Sequence, residues 1–170
     1  TIRPFREPED VERMVVEAKS HPCRMLRISL GQAVVSPDRV LSAVLSLSSA
    51  GVEPVSCRNP LTMIGGSDGQ ISFQAWPDKP RSDLRPEDLV LLNPTSIEDP
   101  RSPGGSLQAP PFLDLAPGVS VLFNVQSPVG ARSAGRHLIR VLYMNPAREI
   151  TGHQVFAGEL FSQTVAVDFP

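Results

Sequence analysis

The chain of 170 residues contains 18 prolines, about twice the usual share, and most fall between apolar runs. Proline lacks the backbone donor and its ring clashes with the preceding turn of a helix. A chain broken this often has room for few long helices, and short strands joined by ordered loops are what remains. Three Asn-Pro pairs, Asn59-Pro60, Asn93-Pro94 and Asn145-Pro146, each follow an apolar run. Asparagine turns the backbone through its side chain and proline denies the next ladder donor, so each pair is expected to end a strand.

Between these breaks the apolar residues alternate with period two, the pattern of half-buried strands. Leu26, Ile28 and Leu30 alternate with Met25, Arg27 and Ser29, which predicts a strand ending at Gly31. The segment 36–50 admits two readings. Ser36-Pro37-Asp38 has the form of a helix start, and Val40, Val44 and Leu47 fit a helix. Leu41, Ala43, Leu45 and Leu47, however, alternate with small polar residues, and this favours a strand over 39–48. Further strands are expected in ISFQAW, with Ile71, Phe73 and Ala75 on one face, and in the apolar run DLVLLN. GVSVLFNVQ places Val119, Val121, Phe123 and Val125 on one face. RHLIRVLYMN carries Arg136 and Arg140 on its edge or outer face, and LFSQTVAVDF points Phe161, Val165, Val167 and Phe169 inward. The stretch 95–111 has too little apolar content for an element and reads as a surface loop or a crossover between sheets.

No strand–helix–strand alternation is present, so a parallel sheet is not expected. The predicted fold is all-β: a single domain over 1–170, an antiparallel β-sandwich with jelly-roll or Greek-key connections and a short N-terminal helix. That helix is predicted over 9–19, EDVERMVVEAK. Val11, Met14, Val15 and Ala18 fall at helical spacing there, and Glu9 and Asp10 suit the first turn. Residues 1–22 then form an arm that packs on the sandwich.

A formal net charge of −2 gives no global basic field for nucleic acid or anionic lipid. No apolar run approaches the roughly 20 residues of a membrane helix, and no membrane partner is expected. Cys23 and Cys57 read as free buried thiols, which suits an intracellular, reducing compartment. His21 and Cys23 are two apart, but no second ligand pair stands at a zinc-like spacing and His137 and His153 have no evident partners. No metal or other cofactor is therefore expected. Gly65-Gly66-Ser67-Asp68-Gly69 matches G-x-S-x-G, which would make Ser67 a hydrolase nucleophile. That elbow needs a helix after the serine, whereas QISFQAW reads as a strand and Asp68-Gly69 is a favoured hairpin pair. The turn reading wins, and no catalytic residue is assigned. Gly104-Gly105 lacks the lysine and following helix of a phosphate loop. Trp76 and Tyr143 are lone aromatics and make no stacking platform.

The proline-, serine- and leucine-rich composition, Pro4-Phe5 near the start, and the apolar run closing on Asn-Pro in LVLLNP (89–94) resemble the coat proteins of tymovirus-like small icosahedral plant viruses. The resemblance lies in pattern and size. It implies a jelly-roll protein that self-assembles into an icosahedral shell around RNA in the virion, with no catalysis. Coats of this kind lack a strongly basic arm, in keeping with the charge of −2. Arg132, Arg136 and Arg140 are the candidate contacts for a polyanion. Two other readings stand beside it: an interaction module that docks a partner by its loops or an edge strand, and a hydrolase using Ser67.

Overall fold

The computed structural model describes residues 25–64, 69–101 and 109–170. The helix expected over 9–19, His21, Cys23, Ser67 and Gly104-Gly105 lie outside the described residues. In chain order the strands are β1 (Leu26–Val35), β2 (Val40–Ser49), β3 (Val55–Arg58), β4 (Gln70–Pro77), β5 (Val90–Leu92), β6 (Ser96–Glu98) and β7 (Phe112–Leu115). There follow β8 (Ser120–Pro128), β9 (Gly135–Asn145), β10 (Glu149–Ile150), β11 (His153–Gln154), β12 (Gly158–Phe161) and β13 (Val165–Phe169). Among the described residues the helical elements are 3-10 turns of three residues. No helix there is long and apolar enough to cross a membrane.

The strands form an antiparallel sandwich. One sheet runs β1-β2-β8-β6; the other runs β12-β9-β4-β5, with β13 also paired to β9. Neighbours in each sheet are distant in sequence: β8 lies between β2 and β6, and β9 lies between β4 and the β12/β13 pair. This interleaving is of the Greek-key kind, not a meander. Leu41, Leu45, Leu47 and Phe123 from the first sheet meet Phe73, Ile139, Val141 and Tyr143 from the second, all at most 1% exposed. Each large apolar side chain buried this fully stabilises the fold by about 1.5–3 kcal/mol.

The segment 36–50 is a strand. Its alternation puts Leu41, Ala43, Leu45 and Leu47 into the core, while Ser42, Val44, Ser46 and Ser48 face outward, half-buried. Each Asn-Pro pair marks a strand end: β3 stops at Arg58 and β5 at Leu92, directly before the pair, and β9 stops at Asn145 itself. Three details depart from the local pattern. Gly31 does not end β1; a bulge between Leu30 and Ala33 absorbs one extra residue and the strand continues to Val35. At that bulge the Gln163 side chain takes the place of a neighbouring strand. It accepts from the Leu30 amide (3.0 Å) and donates to the Leu30 carbonyl (2.7 Å). Within 95–111, Ser96–Glu98 forms β6, because Ile97 can pair opposite Val125 and bury its side chain. Finally, β12 pairs Phe161 with Leu142 while β13 pairs Val165 with Ile139, so four steps on one strand oppose three on the other. Ser162 fills the irregularity, its hydroxyl accepting from the Val141 amide at 2.9 Å. The parity flips there. Val167 and Phe169 are buried in the core, but Phe161 points to the other face and packs on Arg140.

The two outer faces differ. On the first sheet Leu122, Asn124 and Gln126 are exposed. On the second sheet the pairs Ser72–Leu142 and Gln74–Arg140, together with Trp76, face away from the core. All five are nonetheless buried, at 1–7% exposure.

Candidate functional site

One end of the sandwich gathers a serine, a histidine and an aspartate from three separate segments. β3 and β7 pair antiparallel with Ser56 opposite Asp114 and Arg58 opposite Phe112. Val55 and Cys57 of β3 are buried, which by strand alternation turns Ser56 outward. The third member arrives on the β10–β11 hairpin, where Ile150 pairs with His153 across the two-residue turn Thr151-Gly152. Both turn residues have positive φ, 50° and 78°, the geometry of a type I′ turn. The hairpin sets the His153 ring flat on Phe112, with centroids 4.1 Å apart and planes 5° from parallel.

His153 Nε2 then lies 3.0 Å from Ser56 Oγ and 3.2 Å from Asp114 Oδ1, and Ser56 Oγ also donates to Asp114 Oδ1. The ionised carboxylate only accepts, so the serine proton goes to Asp114. Nε2 must therefore carry the hydrogen that it shares between the hydroxyl and the carboxylate, a tautomer assigned from the bonding pattern. Nδ1 has no hydrogen-bond partner among the described residues. In a hydrolytic triad the carboxylate sits on Nδ1 and the serine donates to Nε2. Here carboxylate and serine crowd the same nitrogen, which fixes the ring without activating Ser56.

Beside this cluster lies an open groove of about 700 Å³, with Pro54, Val55 and Ser56 on one wall and Arg148, Glu149, Gln154, Val155 and Ala157 on the other. The loop that forms the second wall is tied down by Asn145, which is fully buried. Its Nδ2 donates to the carbonyls of Ala147 (2.9 Å) and Phe156 (2.7 Å), and its Oδ1 accepts from Arg58 Nε (3.0 Å). Main-chain bonds from Val155 to the Arg148 carbonyl (2.9 Å) and from Phe156 to the Ser56 carbonyl (2.8 Å) close the loop on itself and on β3. Behind β3, the Tyr143 hydroxyl donates to the Arg58 carbonyl at 3.0 Å. Burial pushes the adjacent Cys57 thiol up to about 12, against a smaller opposing effect of its hydrogen bond with Tyr143. Burial likewise holds the Tyr143 phenol well above its ordinary value. Cys57 is thus a protonated structural thiol, free and buried, and no nucleophile.

The residues singled out in the sequence are placed elsewhere. Arg132 and Arg136 are exposed, and Arg136 pairs with Asp78 at 2.7 Å. Arg140 is 5% exposed, donates to Gln74 Oε1 at 2.8 Å and lies over the rings of Phe161 and Trp76. The three arginines therefore do not form one solvent-facing patch, because the face carrying Arg140 is covered. Arg132 does contribute its carbonyl, which with those of Gly130 and Pro170 receives the Arg39 guanidinium and ties the β1–β2 turn to the chain end. His137 is a core residue stacked on Phe169, centroids 3.9 Å apart. The strand β4 begins at Gln70, so a strand follows Ser67 where an elbow needs a helix. Among the described residues no three metal-ligating side chains converge. The sequence signals for Ser56, Asp114 and His153 were faint; the Thr-Gly step at 151–152 was the one local sign of a hairpin.

No family model and no curated protein matches the chain. Among solved structures the chain is similar to AvmM, which catalyses macrocyclization in alchivemycin A biosynthesis. The identity is 16%, the match covers 85% of this chain and 86% of that one, and the TM-score is 0.38. At that score the likeness carries no argument about fold or activity.

Proposed function

We propose that this chain is an interaction module that receives a ligand or partner segment in the groove between β3 and the β10–β11 loop. One observation carries the reading. An open groove of about 700 Å³, within the usual size range of ligand sites, adjoins an imidazole held rigidly by Phe112, Ser56 and Asp114. Its walls offer apolar contact through Val55 and Val155, and both signs of charge through Arg148 and Glu149. That combination suits a ligand with a short apolar body and polar ends, such as a peptide segment. Amide-detected NMR against a library of short peptides and polar fragments tests it. Shifts should concentrate at Ser56, Arg148, His153 and Gln154 and vanish in folded His153→Ala. Binders that cluster on another surface, or that ignore the substitution, would remove the proposal.

A second reading, a self-assembling coat with Arg132 and Arg136 turned toward RNA, draws on the interleaved strand order of the two sheets and on the sequence resemblance. Light scattering behind size-exclusion chromatography separates the two. Particles or large oligomers favour the shell, and a monomer that persists from low to high salt sinks it.

A further inference from the structure

His153 Nε2, Ser56 Oγ and Asp114 Oδ1 meet from three separate segments. The crowding that leaves Ser56 unactivated is the arrangement a metal ion requires. Zinc holds nitrogen and oxygen ligands at about 2.0–2.2 Å. In a shell of that radius, neighbouring ligands stand about 3.0 Å apart at right angles and about 3.4 Å apart at the tetrahedral angle. Nε2 lies 3.0 Å from Ser56 Oγ and 3.2 Å from Asp114 Oδ1, inside that range. The third edge is the direct hydrogen bond from Ser56 to Asp114. The Asp114 side chain is 64% exposed and has room to swing outward as an ion enters. Both oxygens bond the same ring nitrogen, so the in-plane lone pair of Nε2, once its proton leaves, points between them. The ring cannot turn away, because it is stacked on Phe112.

We propose that Ser56, Asp114 and His153 form a site for a divalent ion of the zinc class beside the groove. On binding, Nε2 gives its lone pair to the ion, and the ring proton passes through solvent to Nδ1, which has no hydrogen-bond partner among the described residues. Asp114 enters as the carboxylate and Ser56 as a neutral hydroxyl, so the neutral ring releases no net proton. The imidazole selects the ion. Nitrogen ligands suit zinc and its transition-metal neighbours, whereas magnesium and calcium take shells of oxygen. Cys57 cannot join, since its thiol is buried on the other side of β3. Among the described residues no three histidine, cysteine, aspartate or glutamate side chains converge. The protein therefore supplies two strong ligands and a hydroxyl, and the remaining position is left to water or to a group lying in the groove, whose wall Ser56 forms. A site so composed holds an exchangeable ion and not a structural one. It stands whether or not the groove takes a peptide.

Zinc chloride titrated into the full chain at neutral pH tests the site, read by calorimetry and by long-range proton–nitrogen spectra of the histidine rings. His21 and Cys23 also offer zinc ligands, so the His153 ring signal decides. It should pass from the form protonated on Nε2 to the form protonated on Nδ1 as zinc is added, and magnesium or calcium should leave it unmoved. His153→Ala and Asp114→Asn should each weaken this binding by about tenfold or more, since partners even one step removed from a metal cost that much when lost. Asp114→Asn keeps an oxygen to accept from Ser56 and changes an exposed side chain, so it separates loss of the carboxylate ligand from loss of the fold. No binding up to millimolar zinc, a His153 ring that keeps its Nε2 proton while zinc binds elsewhere, an equal response to calcium, or affinity untouched by Asp114→Asn would each overturn the assignment. Loss of peptide binding with zinc binding intact would count against the groove reading alone.

Discussion

Replacing Asn145 with alanine removes a fully buried side chain that ties the groove-forming loop to the sandwich. Four hydrogen bonds vanish together: to the Ala147 carbonyl at 2.9 Å, to the Phe156 carbonyl at 2.7 Å, from Arg58 Nε at 3.0 Å, and a long one from the Ala147 amide at 3.4 Å. A buried hydrogen bond contributes about 1 kcal/mol net, and an acceptor left without a partner costs about 1–3 kcal/mol. Phe156 is 4% exposed, so its carbonyl is the acceptor stranded. Ala147 and Arg58 are half-buried and can turn to water, which discounts their share. The expected loss is about 2–4 kcal/mol, read as a lower midpoint at constant slope in urea unfolding. Because the bonds converge on residues 146–157, the Val155 and Phe156 amides should exchange faster by more than the global change explains. Asn145→Asp keeps an acceptor for Arg58 but sets a carboxylate against two carbonyl oxygens, and should be no better tolerated. A loss below about 1 kcal/mol with unchanged exchange at Val155 and Phe156 would show that Asn145 does not anchor the loop.

Thr151 sits at φ 50° in the turn that carries His153, where a β-branched residue is strained and asparagine is favoured. Thr151→Asn should raise stability by about 0.5–1 kcal/mol, seen as a higher thermal midpoint; a lower one would contradict the turn assignment. Cys57 is raised from 9.0 to about 12 in the fold. Between those values the unfolded chain gives up the thiol proton and the folded chain keeps it. This contribution is intact below about pH 9 and is lost toward pH 12, at up to about 1.4 kcal/mol per pH unit. Cys57→Ala should flatten the alkaline slope in denaturation curves, the residue of it coming from Tyr143, whose shift has the same sign; an unaltered slope would exclude the thiol. Gln163→Ala frees both the Leu30 amide and carbonyl at the β1 bulge and should cost about 1–2 kcal/mol, with more aggregation on heating as the strand edge opens. A variant as stable and soluble as the parent would mean water replaces the side chain there.

Much of the sandwich was legible because strand burial is a local matter. Leu41, Leu45 and Leu47 alternate with small polar residues, and the backbone period of two carries them to one face whatever their partners are. The Asn-Pro pairs stop strands for an equally local reason, the missing donor of proline. Where the reading failed, a partner intervened. Phe161 was expected inward, but the four-against-three pairing around Ser162 turned it toward Arg140. The segment 95–111 looked structureless, yet Ile97 found Val125 across a sheet edge. Arg140 was placed with Arg132 and Arg136 as a surface charge, but the covering of its sheet face took it out of solvent.

The sequence by itself determined an all-β chain, the positions of most strands and their sides, since these follow from proline chemistry and from side chains spaced two apart. The tertiary structure alone decided the site. Ser56 and His153 are 97 residues apart and Asp114 lies 39 before the histidine. Their meeting depends on the β3–β7 register, on the turn at Thr151-Gly152 and on Asn145 holding the loop, and no local period encodes those three together.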